Sequence, residues 1–290
     1  MRVNEILERE QMLATVAVMI VAMSLIPLGD TAGKLMSQAG IASFFIAWAR
    51  FAMGAAMLAP VRGTKLRTDL ALLRDWRIWL RALLIVCGIS CILTALQTEP
   101  LANVFGAFFI GPIVSYVLSA FLLGERITLK RTGLMGVGFL GVLLVVKPGF
   151  GMTPGLIFAV LAGVFYGAYL VTNRWLVGVA RPGSLLLSQL VIGAIVLLPV
   201  GALNIPELNW PLVALLVTSA ASSMLGNLLL VRAYGWASAT VLAPFVYFQL
   251  VAATALGFAV FRDIPDGYAL IGLVLLITSG AASLERRTVS

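Results

Sequence analysis

Long apolar runs dominate this chain, and short polar stretches interrupt them. The runs are continuous rather than alternating, and most approach the 20 or so residues that a helix needs to cross a bilayer core, which is too long for barrel strands. The pattern therefore predicts an all-α integral membrane protein with ten transmembrane helices. The predicted helices cover residues 12–35, 41–61, 78–97, 101–123, 130–147, 155–173, 184–203, 209–230, 237–261 and 267–284.

Composition agrees with this pattern. Of the 290 residues, 61% are hydrophobic and only 11% are charged, and the mean hydropathy is +1.05, whereas soluble domains carry about 25% charged residues. The net charge of +8 could indicate a nucleic-acid partner. However, the basic residues cluster in short loops between apolar runs, where they act as topology signals. We therefore expect membrane lipid around the chain and no nucleic acid.

Few residues are suited to chemistry. The chain has no histidine, which removes the commonest general base and metal ligand. Cys87 and Cys91 lie four residues apart inside an apolar run, where packing on one helix face explains them better than a disulfide or a metal pair. We predict no catalytic residue, no metal site, no cofactor and no enzyme activity.

The lysines and arginines predict the orientation of the chain. With a cytoplasmic N-terminus, 16 of them fall on the inside, 3 on the outside, and Arg50 alone within the membrane. Such a bias follows the positive-inside rule. The first eleven residues contain acids and precede no small-residue cleavage site, so the first run is a retained span rather than a signal peptide. The chain is predicted to lie in the cytoplasmic (inner) membrane with both termini cytoplasmic.

The chain carries an internal repeat. The segment MGAAMLAPV (53–61) aligns with IGAIVLLPV (192–200) at an offset of 139, and LKRTGLMGVGFLGVLL (129–144) resembles DGYALIGLVLLITSGA (266–281). The predicted units are residues 1–147 and 148–290, with five spans each. Because five is odd, the second unit is inverted in the membrane. Inverted repeats build alternating-access transporters that bind their solute near the midplane.

Four segments resemble a known family. GDTAGKLM (29–36), WARF (48–51), ALQTEPLANVFGAFFIGP (95–112) and LLGERIT (122–128) are similar in order and spacing to the first-half pattern of the drug/metabolite transporter superfamily, EamA type. This resemblance implies a ten-helix secondary transporter of small organic solutes. The second half departs from the pattern, because Gln249 stands where span four has Pro112.

Charged residues within the spans are candidates for the solute pathway. Arg50 lies about nine residues into its span, near the midplane, where it either ties helices together or acts as counter-ion for a carboxylate or phosphate. Asp30 and Lys34 are four residues apart and can pair on one helix face. They form either an interfacial ion pair or a solute or proton contact.

The repeat offset adds neutral candidates. It aligns Asp30 with Tyr169, Lys34 with Asn173 and Arg50 with Gln189, so the first half supplies charges where the second supplies neutral hydrogen-bonding groups. The alternative role for any single aromatic or amide residue is packing or interhelical hydrogen bonding. The complete set of candidate substrate-binding residues is Asp30, Lys34, Trp48, Arg50, Gln97, Asn103, Tyr116, Tyr166, Tyr169, Asn173, Gln189, Tyr247 and Gln249.

Two glycine motifs are interpreted as packing features. GVGFLG (136–141) spells a dinucleotide-binding pattern, but no strand precedes it; GVFYG (163–167) is a GxxxG motif. Both predict close helix packing within the bundle, with a monomer favoured slightly.

The function predicted from these features is secondary active or facilitative transport of a small organic metabolite. The solute is expected to be anionic or zwitterionic, with or without an aromatic part, such as an amino acid or a vitamin like riboflavin. The alternatives are a passive pore, a non-transporting membrane scaffold and a polytopic membrane enzyme.

Overall fold

The computed structural model describes residues 2–99, 101–146, 153–262, 264 and 267–284, and every regular element within them is helical. The α-helices are α1 (Arg2–Gln38), α2 (Ser43–Arg62), α3 (Leu66–Ala71), α4 (Trp76–Thr98), α5 (Leu101–Phe108), α6 (Ile110–Leu123), α7 (Leu129–Val146), α8 (Pro154–Trp175), α9 (Pro182–Gly201), α10 (Trp210–Trp236), α11 (Ala239–Val246), α12 (Phe248–Leu256) and α13 (Gly267–Leu284).

Eight segments within the described residues are long and apolar enough to cross a membrane. They comprise α1, α2 with the short helical turns after it, α4, the α5–α6 pair, α8, α9, α10 and the α11–α12 pair. Each lies on a span predicted from the sequence. The chain is a multi-pass membrane protein.

Two predicted spans are interrupted. The run 101–123 is divided into α5 and α6 at Phe109, and the run 237–261 is divided into α11 and α12 at Tyr247 and ends in a π-helical turn, Gly257–Phe261. A proline lies three residues from each interruption, Pro112 and Pro244, and a proline removes a backbone donor from a helix. The rings of Phe109 and Tyr247 touch, with centroids 5.7 Å apart.

Glycines allow α8 to cross the α5–α6 pair with backbones in contact. A methyl group added at Gly163 would lie 2.4 Å from the Phe108 carbonyl oxygen, and one added at Gly167 would lie 2.5 Å from that of Gly111. The close packing predicted for the GxxxG motif is therefore confirmed. In GVGFLG, Gly138 packs against the Tyr247 ring and Gly141 against the Gly272 backbone, while a methyl group at Gly136 would meet nothing within 4 Å.

The start of α4 is fixed by a side-chain cap. Asp75 has extended backbone geometry, and its carboxylate accepts a hydrogen bond from the Arg77 backbone N–H at 2.9 Å. The Arg77 guanidinium and that backbone N–H hold the pKa of the Asp75 carboxyl below its usual range. Because α4 begins here, Arg81 lies inside the helix, in its second turn, rather than in the preceding loop.

Candidate functional site

A buried ion pair joins α1 and α2. Arg50 Nη1 donates to Asp30 Oδ1 at 2.8 Å, and both side chains are only 4% exposed. Arg50 Nη2 donates to the Gly29 carbonyl oxygen at 2.8 Å, and Nε donates to Ser219 Oγ on α10 at 3.1 Å. Arg50 thus ties three helices together, and an ionised Asp30 compensates its charge.

The partner of Asp30 differs from the one that the sequence predicted. The ion pair that Asp30 forms in the structure is with Arg50 rather than with Lys34. Lys34, one turn further along α1, has its ammonium 5.2 Å from the centroid of the Phe261 ring. The spacing of four residues allows Asp30 and Lys34 to pair, but a guanidinium from the adjacent helix reaches Asp30 in the buried interior.

Small residues on α1 make room for the guanidinium. A methyl group added at Gly33 would lie 3.1 Å from Arg50 Nη2 and 3.0 Å from a methyl carbon of Leu93. One added at Gly29 would lie 2.5 Å from Ser223 Oγ. Side chains at these positions would occupy the space that Arg50 and α10 fill.

The ion pair borders a cavity with about 30 Å³ of enclosed free space; the whole space between atoms at this position, open solvent included, is about 390 Å³. Four isoleucines and a phenylalanine form its apolar wall: Ile26, Ile85, Ile89, Ile92 and Phe108. The polar residues that line it are Asp30, Arg50, Tyr166, Ser223, Asn227 and Gln249. These residues come from α1, α2, α4, α5, α8, α10 and α12, so the cavity lies where most of the long helices converge.

Three polar atoms on this lining are buried and have no hydrogen-bond partner among the described residues. They are the hydroxyls of Tyr166 and Ser223 and the Oε1 atom of Gln249. A buried polar group without a partner costs about 1–3 kcal/mol. Three such atoms around one cavity offer hydrogen bonds to a molecule that enters it.

An aromatic surface borders the same space. The Phe108 and Tyr166 ring centroids are 5.0 Å apart, and the Tyr166 and Tyr169 rings stack at 6.1 Å. Phe108 and Tyr166 line the cavity directly, whereas Tyr169 lies behind Tyr166. A planar ring entering the cavity could therefore pack on Phe108 and Tyr166.

A second polar cluster surrounds Arg81, which is fully buried at 0% exposure. Its Nε donates to Asn173 Oδ1 at 2.6 Å, Nη1 to the Leu185 carbonyl oxygen at 2.9 Å, and Nη2 to the Tyr169 hydroxyl at 3.1 Å. The Tyr169 hydroxyl in turn lies 2.9 Å from Gln189 Oε1. We call Arg81, Tyr169, Asn173 and Gln189 the Arg81 cluster.

The two polar regions are connected. The Tyr169 hydroxyl lies 3.2 Å from Asn227 Oδ1, and Asn227 lines the cavity. Of the predicted candidates, Asp30, Arg50, Tyr166 and Gln249 lie at the cavity. Tyr169, Asn173 and Gln189 lie together in the Arg81 cluster.

Other predicted candidates lie elsewhere. Trp48 packs against Phe45 and Gly201. Gln97 is exposed near the end of α4, and the side chain of Asn103 lies outside the described residues. The Tyr116 hydroxyl is hydrogen-bonded to Thr132 Oγ1 at 3.0 Å. The Tyr247 hydroxyl donates to Met135 Sδ at 3.2 Å. Of the described side chains in this group, Trp48, Gln97, Tyr116 and Tyr247 are not part of the cavity lining.

The 16 inward basic residues counted from the sequence include Arg81, whose charge was interpreted as a topology signal of the loop before α4. A signal was present, because residue 81 falls within the predicted span 78–97. Because Arg81 closely follows Arg74 and Arg77 in the sequence, it was counted with them as a topology signal. Arg81 lies within the predicted span and four residues after Arg77. An arginine in such a position can be buried, or it can belong to a loop.

Within the described residues, no group of three or more Cys, Asp or Glu side chains is arranged to hold a metal ion. The cysteines Cys87 and Cys91 are free thiols and half-buried. The site is therefore described by ion pairs, hydrogen bonds and aromatic contacts.

A membrane-spanning bundle around a polar central cavity has the architecture of a membrane carrier. The model of the EamA-like transporter family matches the chain twice, over residues 12–147 and 153–283. The chain belongs to this family, as the sequence motifs predicted.

Curated relatives carry transporter names. The S-adenosylmethionine uptake transporter of Rickettsia felis is 27% identical over 236 residues, which is 81% of this chain and 80% of that protein. The Pseudopaline exporter CntI of Pseudomonas aeruginosa is 28% identical over 65% of this chain and 68% of that one. The Riboflavin transporter of Brucella anthropi is 26% identical over 83% and 87%.

The fold also matches a solved crystal structure. The TM-score is 0.77 at 18% sequence identity, over 93% of this chain and 96% of the other. This likeness shows a shared fold.

Proposed function

We propose that this protein carries a small zwitterionic or anionic organic metabolite, with an aromatic part, across the cytoplasmic membrane by alternating access. The carrier has ten transmembrane helices in two inverted five-helix repeats, residues 1–147 and 148–290, and both termini are cytoplasmic. The Lys and Arg bias supports this orientation. The observation that carries the proposal is the central cavity whose lining combines a neutralised ion pair with three unpartnered polar atoms.

Helix packing supports the repeat. The first repeat would contain α1, α2, α4, α5–α6 and α7, and the second α8, α9, α10, α11–α12 and α13. The helix pairs in contact correspond when the repeats are exchanged: α1 packs on α10 as α8 packs on α4, and α1 on α12 as α8 on α6. The pairs α2–α9 and α7–α13 join equivalent helices. This pattern is expected of two related units around a pseudo-two-fold axis.

The cavity lining supports the solute class. Asp30 and Arg50 together contribute no net charge, and they present both signs to a zwitterion. The hydroxyls and the amide oxygen offer hydrogen bonds, while Phe108 and Tyr166 offer an aromatic surface. The relatives named for S-adenosylmethionine, pseudopaline and riboflavin support a small organic solute, because all three names denote such molecules.

Counterflow in proteoliposomes tests the proposal. A thermal-shift screen of the purified protein comes first, since a bound solute stabilises by mass action. Riboflavin, S-adenosylmethionine and phenylalanine are screened, and those that stabilise the protein are the probes for counterflow. A carrier gives saturable uptake that a preloaded solute accelerates. Uptake that rises linearly and ignores the preloaded solute would instead indicate a pore, and the absence of any protein-dependent flux would favour a scaffold.

Matched glutamine variants locate the site. Gln249→Leu removes from the cavity the amide oxygen that has no hydrogen-bond partner among the described residues. We expect the initial rate to fall about tenfold, the equivalent of one lost hydrogen bond. Gln38→Leu changes an exposed glutamine at the end of α1 and should leave the rate unchanged. Equal rates for the two variants would exclude Gln249 from the pathway.

A further inference from the structure

Arg81 is a buried charge with no acidic partner in the described part of the chain. Its three hydrogen-bond acceptors are an amide oxygen, a backbone carbonyl and a phenolic hydroxyl. The ring of Tyr169 adds a cation–π contact, with the guanidinium carbon 5.0 Å from the ring centroid. All of these partners are neutral, whereas buried cations are usually paired with an anion.

The cluster retains donors that are not used. A guanidinium has five N–H donors, and three of those on Arg81 have described acceptors. The Nδ2 atom of Asn173, a side chain only 1% exposed, also has no hydrogen-bond partner among the described residues. Guanidinium and amide N–H groups that converge in this way match the oxygen atoms of a carboxylate.

Tyr169 separates Arg81 from the cavity. Its hydroxyl accepts from Arg81 and approaches Asn227 on the cavity lining, and its ring stacks on Tyr166, which also lines the cavity. The Tyr169 hydroxyl therefore occupies a position next to Arg81 on the side that faces the solute pathway.

We propose that Arg81 binds the carboxylate of the transported solute, and that the Tyr169 hydroxyl holds this position when no solute is bound. The carboxylate would displace the hydroxyl and supply the negative charge that the cluster lacks. This inference rests on the proposed function only in identifying the anion as part of the solute. Anion binding itself can be measured without transport.

Acetate is the probe, and acetamide is its neutral analogue of the same shape. The thermal unfolding midpoint of the purified full-length protein is measured in detergent against each compound, with ionic strength held constant by sodium chloride. We expect acetate to raise the midpoint saturably by about 2 °C or more and acetamide to leave it unchanged. Equal responses to both compounds, or no response to acetate, would overturn the proposal.

Two variants should remove the response. Arg81→Gln deletes the cation. Asn173→Asp places an internal carboxylate at the atom that already lies 2.6 Å from Arg81 Nε, so we expect this variant to remain folded and to lose the acetate response. Arg232→Gln alters an exposed arginine on α10 and should respond as the wild type does. If Asn173→Asp responds to acetate like the wild type, Arg81 is not the anion site.

A third variant should strengthen the response. Tyr169→Phe removes the hydroxyl that competes for Arg81, and we expect half-maximal stabilisation at an acetate concentration about fivefold lower. A merely structural role for Tyr169 predicts no such gain, so an unchanged or higher half-maximal concentration would overturn the displacement step. Failed counterflow together with a positive acetate series would reject the carrier and keep the anion site. Successful counterflow without an acetate response would keep the carrier and reject the anion site.

Discussion

Arg50 and Arg81 are both buried, but their charges are compensated in different ways. Arg50 contacts a carboxylate at 2.8 Å, a backbone carbonyl and a serine hydroxyl. Arg81 contacts only neutral groups among the described residues. Each guanidinium has described acceptors for three of its five donors, so the two arginines differ in the counter-ion. A carboxylate compensates the charge of Arg50, whereas no acidic side chain in the described part of the chain compensates that of Arg81.

The repeat offset of 139 residues relates the Asp30–Arg50 contact to the Tyr169–Gln189 contact. The sequence alignment places Asp30 opposite Tyr169 and Arg50 opposite Gln189. The structure joins Asp30 to Arg50 and Tyr169 to Gln189, at 2.8 and 2.9 Å. The same contact is thus an ion pair in one half and a neutral hydrogen bond in the other. Beside the Tyr169–Gln189 contact, the positive charge comes from Arg81 on α4, a helix of the first predicted unit.

The largest expected effect comes from breaking the ion pair. Asp30→Asn leaves Arg50 buried without its counter-ion and should cost about 3–5 kcal/mol of unfolding free energy. Arg81→Gln removes a charge that has no acidic partner among the described residues, so it leaves no opposite charge behind there and should cost only about 1–3 kcal/mol. Denaturant unfolding in detergent measures both.

The double variant Asp30→Asn/Arg50→Gln sharpens this test. It replaces the ion pair with two neutral amides, so we expect it to recover part of the stability that Asp30→Asn loses. If Arg81→Gln is as damaging as Asp30→Asn, or if the double variant is no more stable than Asp30→Asn, the distinction between the two arginines fails.

A smaller effect is expected from crowding Arg50. Gly33→Ala places a methyl group 3.1 Å from Arg50 Nη2 and 3.0 Å from Leu93, and overpacking of this kind costs about 1–3 kcal/mol. Gly136→Ala is the matched control, because a methyl group there meets nothing within 4 Å. It should be neutral or stabilise by up to about 1 kcal/mol. Thermal unfolding that ranks the two glycines equally would contradict the packing described for Arg50.

The smallest effect concerns the hydroxyl that connects Arg50 to α10. Ser219 Oγ accepts from Arg50 Nε and donates to the Gly29 carbonyl at 2.9 Å. Ser219→Ala should therefore cost about 1 kcal/mol. Within the described part of the chain, the hydrogen bond of Ser222 stays in its own helix, to the Thr218 carbonyl, and Ser222→Ala should cost less. A larger midpoint shift for Ser222→Ala would argue against Ser219 as an interhelical contact.

The helices were largely predictable because a bilayer demands long apolar runs, and each predicted span coincides with a helix or with a pair of helices. The interruptions at Phe109 and Tyr247 were not predicted. An apolar run does not reveal whether its backbone is continuous, and Pro112 and Pro244 were not interpreted as breaks. Prolines alone would not have located these interruptions, because Pro27, Pro60 and Pro199 lie inside helices that are continuous.

Side-chain partners were harder to predict than positions. Asp30, Arg50, Tyr166 and Gln249 were identified as pathway candidates because polar groups are conspicuous in an apolar run. Their partners depend on which helices meet, and α1 meets α2 and α10 through glycines and serines that carry no distinctive sequence signal. Arg81 was overlooked for a related reason: its charge resembled that of its loop neighbours, and only the packing of α4 on α8 and α9 reveals its burial.

The rings of Phe109 and Tyr247 bring the interruptions of the two broken helices into contact. Each ring sits where its own helix is interrupted, and the ring centroids are 5.7 Å apart. If the angle between the two helices at one interruption changes, the ring at that interruption moves. The ring packed against it, at the other interruption, must then move too. We therefore expect a rearrangement at one interruption to be accompanied by a rearrangement at the other.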